Sequence, residues 1–173
     1  MKTTGPLGIA GAAHSLQPIG TIHTPYTRGA PYQPQPDAVG AFSLELDPRY
    51  AAGLRGVERF RYLYVLFLAD RALPPEMLVR PPWAEGVEVG LFATRSPDRP
   101  SPIGLSVVRV LRVEGNVVHT SGLDALDGTP LLDIKPYIAG LDVKPDANLG
   151  WVGDLPDQAH LTLHLLGIPH DER

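Results

Sequence analysis

The longest strand-like stretch of the chain, IGLSVVRVLRVEGNVVHT at residues 103–120, decides the fold class. Apolar and β-branched residues fill both of its halves, which is typical of β-strands. Between the halves stands the short polar sequence EGN, in which Gly115 can adopt the backbone conformation that a tight turn needs. The stretch therefore predicts a β-hairpin of two antiparallel strands.

Shorter strand-like segments lie on both sides of this hairpin. They are PIGTIHTPY at 18–26, AFSLELD at 41–47, YLYVLFLAD at 62–70, GVEVGLFATR at 86–95, TPLLDIKPYI at 129–138 and AHLTLHLLGI at 159–168. The nearly unbroken apolar run at 62–70 predicts a central strand that is buried on both faces.

One segment favours a helix, PRYAAGLRGVERF at 48–60, where Pro48 occupies the first position. With seven or so strands, about one helix and long Pro-rich loops, the pattern predicts a mostly β protein. A small antiparallel barrel or a sandwich is favoured over a βαβ fold.

Composition limits the class of protein. The 173 residues fit one domain, which we expect at 17–168, between a disordered leader at 1–16 and a tail at 169–173. A net charge of −4 argues against a generic nucleic-acid coat protein, and the absence of cysteine excludes disulfides and Cys-ligated metals. No apolar run is long enough to span a bilayer, so we expect a cytoplasmic protein.

Familiar nucleotide and metal motifs are missing from the sequence. There is no G-x-G-x-x-G after a strand and no P-loop lysine motif. His160 and His164 share one face of a helix or a strand, which permits a metal pair. No carboxylate or cysteine completes that site, so solvent-facing histidines are favoured and no metal is expected.

A proline-rich segment, RSPDRPSPIG at 95–104, carries Arg95 and Arg99. Its three prolines stiffen the chain, so the arginines lose little freedom when they bind an anion. An arginine presents a fork that matches a carboxylate or a phosphate. The alternative is a rigid surface loop whose arginines pair with Asp98 or other acids.

A second dense segment, SGLDALDGTPLLDIKPY at 121–137, contains two kinds of polar residue. Asp124 and Asp127 lie in a turn, where they either close the turn or accept hydrogen bonds from a ligand. Asp133, Lys135 and Tyr137 alternate along a strand and therefore share one face. Three such residues in succession predict that this face meets water or a pocket.

Four segments of the chain carry a family resemblance. GLFATRSPDRPSPIGLSVV at 90–108 and LDALDGTPLLDIKPY at 123–137 closely resemble the two signature segments of the TrmO/YaeB (TsaA-like) family. IGTIHTPY at 19–26 and VRPP at 79–82 resemble its supporting motifs. The resemblance runs from about Ile19 to Asp142, which is most of the chain.

This resemblance implies a small β-barrel, usually a homodimer, that binds S-adenosylmethionine without a Rossmann sheet. It implies methylation of N6 of threonylcarbamoyl-adenosine in tRNA, beside the anticodon. The cofactor-binding residues that it implies are Pro31, Tyr32, Gln33, Asp70, Arg71, Arg95, Arg99, Leu105, Asp124, Ala125, Leu126 and Asp127.

For catalysis, methyl transfer requires positioning more than a strong base. Because adenine N6 loses a proton on alkylation, Asp133 or Tyr137 is a candidate to accept its hydrogen bond, and Lys135 a candidate to orient the substrate.

Two alternatives remain open. Asp70-Arg71 stands where the family often has histidine followed by glutamine, which favours a methyltransferase for a small molecule or another RNA. The other alternative is a non-catalytic S-adenosylmethionine sensor.

Overall fold

The computed structural model describes residues 15–38 and 40–156. Within them the chain is mostly strand, which confirms the predicted fold class. The strands are β1 Gly20–His23, β2 Ser43–Leu46, β3 Tyr62–Leu68, β4 Leu78–Val79, β5 Val89–Gly90, β6 Ile103–Glu114, β7 Val117–Thr120 and β8 Thr129–Pro136. The helical segments are the α-helix α1 Ala139–Asp142 and the 3₁₀ helices Pro48–Leu54, Val57–Arg59, Leu91–Ala93 and Gly150–Asp154.

Six strands form a closed antiparallel ring in the order β1-β2-β7-β6-β3-β8, the arrangement that a barrel requires. The predicted hairpin is β6–β7, and Gly115 in its turn has a φ of 62°, a region that favours glycine. β6 is the longest strand and joins two parts of the ring. Its residues 103–109 pair with β3, and its residues 110–114 pair with β7.

Alternation along the strands fills the interior of the ring with apolar side chains. The fully buried ones in this core are Ile22, Leu44, Leu63, Val65, Val108, Val118, Leu123 and Leu131. Packing against the ring of Phe67 is tight, because a Cβ added at Gly104 would lie 2.2 Å from it. Gly104 therefore allows the start of β6 to pair with the end of β3.

β3 corrects one prediction, since it is buried on one face rather than two. Leu63, Val65 and Phe67 point into the core, whereas Tyr62, Tyr64, Leu66 and Leu68 are only half-buried. The apolar run is continuous because both faces carry large side chains. One of these faces lies on the outside of the ring.

The predicted helix at 48–60 is also corrected. The segment begins as expected, because the Asp47 carboxylate accepts a hydrogen bond from the Arg49 backbone N–H at 3.0 Å and Pro48 follows this cap. It then forms two 3₁₀ helices, separated at Gly56, whose φ is 91°. A glycine in this left-handed region ends a helix, so the i→i+4 pattern does not develop.

The strand predicted at 86–95 is shorter than expected. β5 ends at Gly90, and Leu91–Ala93 form a 3₁₀ helix in which Leu91 is buried. The predicted strand at 159–168, the pair His160 and His164, and the boundaries of the leader and tail fall outside the described residues. Over 15–38 and 40–156, no helix is long and apolar enough to cross a membrane.

Candidate functional site

The proline-rich loop after β1 lies directly on the segment that follows β7. A Cβ added at Gly122 would stand 2.0 Å from the backbone oxygen of Gln35, so the close approach requires glycine. This contact positions Gln33, whose Oε1 accepts a hydrogen bond of 2.8 Å from Nη1 of Arg95. The proline-rich loop and the arginine segment, which are far apart in sequence, therefore meet as the cofactor prediction requires.

The turn of Asp124–Asp127 is fastened to the end of β1. The hydroxyl of Thr24 donates to the backbone oxygen of Ala125 at 2.9 Å, and the Thr24 N–H donates to Oδ1 of Asp127 at 3.2 Å. The Asp127 N–H donates to the backbone oxygen of Tyr26 at 2.7 Å. Three hydrogen bonds thus hold the backbone of the turn and the side chain of Asp127 in a defined orientation.

Asp124 is the carboxylate of this turn whose ionised form is disfavoured by burial. Burial raises the pKa of the Asp124 carboxyl above its ordinary value, while a hydrogen bond from the Ser106 hydroxyl and the positive charge of Arg95 act to lower it. Burial and the charge of Asp124 together raise the pKa of the Tyr26 phenol. A half-buried anion beside an arginine can accept hydrogen bonds from hydroxyl groups of a ligand.

Arg71, just after β3, reaches the same turn, and Asp70 lies beside Arg71. Nη2 of Arg71 donates to the backbone oxygen of Asp127 at 2.6 Å, and its Nε lies 4.0 Å from Oδ1 of Asp70. The structure therefore brings together a polar cluster beside the ends of β1 and β3. Its members are Gln33, Arg71, Arg95, Asp124 and Asp127.

Arg99 differs from Arg95 in what it binds. Its Nη1 donates to the backbone oxygens of Thr94 at 3.0 Å and Ser96 at 3.2 Å, and a longer bond of 3.4 Å reaches Leu91. Asp98, the alternative partner, instead accepts a hydrogen bond of 2.7 Å from the Leu73 backbone N–H. Arg99 thus stabilises the arginine segment, while Arg95 extends from that segment into the polar cluster.

Of the remaining predicted residues, Pro31 and Tyr32 lie in the proline-rich loop, and Ala125 and Leu126 lie in the Asp124–Asp127 turn, where Ala125 is buried. The others lie on the outer face, which we define as the outward side chains of β6, β3 and β8 together with Tyr137, the residue after β8. Two rows cross it, Leu105–Leu66–Asp133 and Val107–Tyr64–Lys135. Lys135 forms an ion pair of 2.5 Å with Asp133, and the ring of Tyr137 lies 5.4 Å from that of Tyr64. The prediction that Asp133, Lys135 and Tyr137 share a face is confirmed. Their hydrogen bond, ion pair and ring contacts go to β8 and β3, so they form a group separate from the polar cluster.

Several residues of the site were missed by sequence reasoning. Thr24 and Ser106 are buried hydroxyls that hold the turn and Asp124, and Gly122 makes room for the loop. Ser106 carried a usable signal, because it is a polar residue at an inward position of an apolar strand. Where the chain is described, no group of three or more histidine, aspartate or glutamate residues is arranged to hold a metal.

A family model places this geometry among known proteins. The model of the tRNA-methyltransferase O N-terminal domain matches residues 21–143. The chain belongs to this family. All residues predicted for the site, from Pro31 to Tyr137, lie inside the matched range.

Relatives of the tRNA-methyltransferase O family align with most of the chain. A probable S-adenosyl-L-methionine-binding protein of Archaeoglobus fulgidus is 42% identical over 158 residues, covering 87% of this chain and 41% of the relative. A tRNA (adenine(37)-N6)-methyltransferase of Mus musculus is 38% identical over 136 residues, covering 73% of this chain and 31% of the relative. The chain thus spans less than half the length of either protein.

A solved structure agrees with the fold. The crystal structure of TrmO from Pseudomonas aeruginosa superposes with a TM-score of 0.67 at 36% identity, covering 80% of this chain and 62% of that chain. The fold is therefore shared with the tRNA-methyltransferase O family at the level of structure as well as sequence.

Proposed function

We propose that the chain is an S-adenosylmethionine-dependent methyltransferase that acts on N6 of threonylcarbamoyl-adenosine in tRNA, beside the anticodon. The observation that carries the proposal is the convergence of Gln33, Arg95 and Asp124 from three separate segments. Family membership and the names of the relatives support the cofactor and the tRNA. A tRNA substrate also supports the predicted cytoplasmic location.

The polar cluster and its neighbours suit the chemistry of S-adenosylmethionine. Within the described part of the chain, Arg95 gives one hydrogen bond, from Nη1 to Gln33, which leaves Nε and Nη2 for the cofactor's carboxylate. Asp124 would accept hydrogen bonds from the ribose hydroxyls, and Asp127 would hold the turn beside it. Apolar and aromatic contacts to the adenine would come from Tyr32, Leu105 and Leu126 and from the backbone of Ala125, whose side chain is buried, with Pro31, Asp70 and Arg71 completing the surroundings.

When bound, the cofactor supplies a methyl group: the C–S bond breaks with its electron pair going to sulfur, a C–N bond forms at N6, and N6 releases its proton. The protein's task is to align the acceptor and receive that proton. Asp133 or Tyr137 would accept the hydrogen bond from N6, and Lys135 would orient the substrate.

The test of the cofactor site is calorimetric titration of the full chain with S-adenosylmethionine. We expect Arg95→Ala to weaken binding by about tenfold or more, the range for losing a charge-assisted hydrogen bond. Arg59→Ala removes an exposed arginine from a 3₁₀ helix outside the site and serves as the matched control. No binding by folded wild-type protein would overturn the proposal. Binding without methyl transfer to tRNA would favour another acceptor or a sensor.

The roles of the outer-face residues are tested by single-turnover methylation of tRNA. Asp133→Asn and Tyr137→Phe each keep the shape of the side chain and remove the group proposed to accept the proton. We expect the variant of the true acceptor to slow the single-turnover rate by about 100-fold or more, with S-adenosylmethionine affinity retained. Unchanged rates in both variants would remove Asp133 and Tyr137 from the mechanism.

We also propose that a second copy of the chain covers the β6 and β3 part of the outer face, forming a homodimer, and leaves Asp133, Lys135 and Tyr137 on the β8 side open to the substrate. Val107 and Leu111 of β6 are 40% and 59% exposed, and Tyr64 of β3 lies directly beside Val107. Large apolar side chains on a surface often mark a contact with another molecule. A two-fold interface would bury the same surface on both copies.

A further inference from the structure

Phe92 is more exposed than any other large apolar side chain in the part of the chain that the structure describes. Its ring is 73% exposed, although Leu91, the residue before it, is buried. Exposure of an aromatic ring brings no gain in folding free energy, because apolar surface is stabilising only when it leaves water. The exposure of Phe92 therefore indicates that its ring contacts a ligand.

The backbone under Phe92 is rigid. The Leu91 N–H donates to the Met77 backbone oxygen at 2.9 Å, and the Thr94 hydroxyl donates to the Leu91 backbone oxygen at 2.8 Å. The indole N–H of Trp151 donates to the Ala93 backbone oxygen at 2.9 Å. Because residues on both sides of Phe92 are fixed, its ring is presented at a defined place and little backbone entropy is lost on binding.

One side of the ring already carries a cation. The guanidinium carbon of Arg99 lies 5.5 Å from the centroid of Phe92, and the same guanidinium is held by the backbone oxygens of Thr94 and Ser96. An arginine fixed against an aromatic ring offers both a stacking surface and positive charge. This combination suits an unpaired nucleobase and its phosphate.

The ring also lies close in sequence to the polar cluster. Phe92 is three residues before Arg95, and the hydrogen bond from Arg95 to Gln33 joins this segment to the proline-rich loop. That loop carries Tyr32, a second exposed aromatic residue, directly before Gln33. Exposed aromatic rings are thus present on both segments that meet at the proposed cofactor site.

We propose that Phe92, supported by Arg99, is a stacking surface for an unpaired nucleobase of the RNA substrate that flanks the methylated adenosine. The inference rests on the proposed function, because it assigns the contact that a tRNA anticodon loop would make. Aromatic rings are the usual contacts of unpaired bases, and one stacked base contributes about 1–3 kcal/mol.

The experiment uses the full chain and an anticodon stem-loop RNA with 2-aminopurine on either side of the target adenosine. We expect Phe92→Leu, which stays apolar but cannot stack, to weaken RNA binding about 5- to 150-fold. We expect wild-type protein to quench one 2-aminopurine and Phe92→Leu not to do so. Phe92→Trp should restore both affinity and quenching, and S-adenosylmethionine affinity should be unchanged in every variant.

Phe60→Leu is the matched control, because Phe60 is a partly exposed phenylalanine at the end of a 3₁₀ helix outside the site. Equal RNA affinity and equal quenching for wild type and Phe92→Leu would overturn the stacking role, and so would a wild-type protein that binds no RNA. If the wild type binds RNA through Phe92 but methylates no tRNA, stacking stands and the proposed reaction fails.

Discussion

At the scale of single residues, the protonation of Asp124 links the site to stability. Its carboxyl group is half-buried, so its pKa lies above the ordinary 3.8, despite the hydrogen bond from Ser106 and the charge of Arg95. A folded-state pKa above the unfolded value means that the folded chain binds the proton more tightly. Ionisation of Asp124 therefore costs stability as the pH rises from 3.8 through the raised value.

Asp124→Asn tests this linkage. The variant removes the charge and keeps the shape, so we expect it to unfold at a higher temperature than wild type at pH 7. Each kcal/mol gained corresponds to roughly 2–4 °C for a domain of this size. The advantage should vanish below pH 3.8, where the wild-type carboxyl is protonated as well.

The measurement for Asp124→Asn is thermal unfolding between pH 3 and 7. Asp146→Asn, at an exposed position, provides the control. A difference between Asp124→Asn and wild type that does not change with pH would contradict the linkage. S-adenosylmethionine binding should weaken in the same variant, since a ribose contact is lost.

Single residues also show where sequence reasoning stops. The sequence indicated that Arg95 and Arg99 stand on a stiff loop, but it could not distinguish their roles. Which arginine reaches outward depends on where the backbone oxygens of the loop point, and that is set by the three-dimensional path of the segment. In the fold, the oxygens of Thr94 and Ser96 turn toward Arg99.

At the scale of elements, strands were predictable where a local pattern and a turn residue agreed. The β6–β7 hairpin meets both conditions, through its β-branched halves and Gly115. The segment from Gly90 to Arg95 does not, because tertiary hydrogen bonds from Leu91 to Met77 and from Trp151 to Ala93 hold it in place. Contacts between residues far apart in the sequence produce no periodic pattern of apolar residues from which they could be predicted.

The loop and the segment after β7 act as a unit through Gly122. Gly122→Ala would place a Cβ 2.0 Å from the Gln35 backbone oxygen, so the loop must move and the hydrogen bond between Gln33 and Arg95 is lost. We expect S-adenosylmethionine affinity to fall about tenfold, together with a loss of about 1–3 kcal/mol in stability from overpacking.

Calorimetry on the folded variant, at a temperature well below its Tm, separates the affinity of Gly122→Ala from its stability. Gly53→Ala is the control, since a Cβ there meets open space. Wild-type affinity in Gly122→Ala would mean that the loop position does not matter to the cofactor.

At the scale of the whole molecule, the outer face predicts the state of assembly. The apolar run of β3 predicts burial on both faces, whereas the structure leaves one face on the outside of the ring. A homodimer through this face would cover the outward side of β3, so that the apolar run of β3 would be buried on both faces as predicted.

Light scattering coupled to size exclusion tests this assembly. We expect wild-type protein to elute with twice the mass of one chain and Val107→Glu to elute as a monomer, because a charge in an apolar interface is costly. Leu149→Glu, at an exposed site outside the outer face, should remain a dimer. A monomeric wild type, or a dimeric Val107→Glu, would contradict the assignment.

The closure of the ring also limits how the protein can associate with other proteins. Each of the six strands has a hydrogen-bonded neighbour on both sides, and β3 is paired with β6 and β8 along nearly its whole length, so it offers no backbone groups to a further strand. Edge strands are the usual starting points for strand addition and fibrous aggregation. Where both sides of a strand are paired, no further strand can be added, so association along those stretches depends on side-chain contacts.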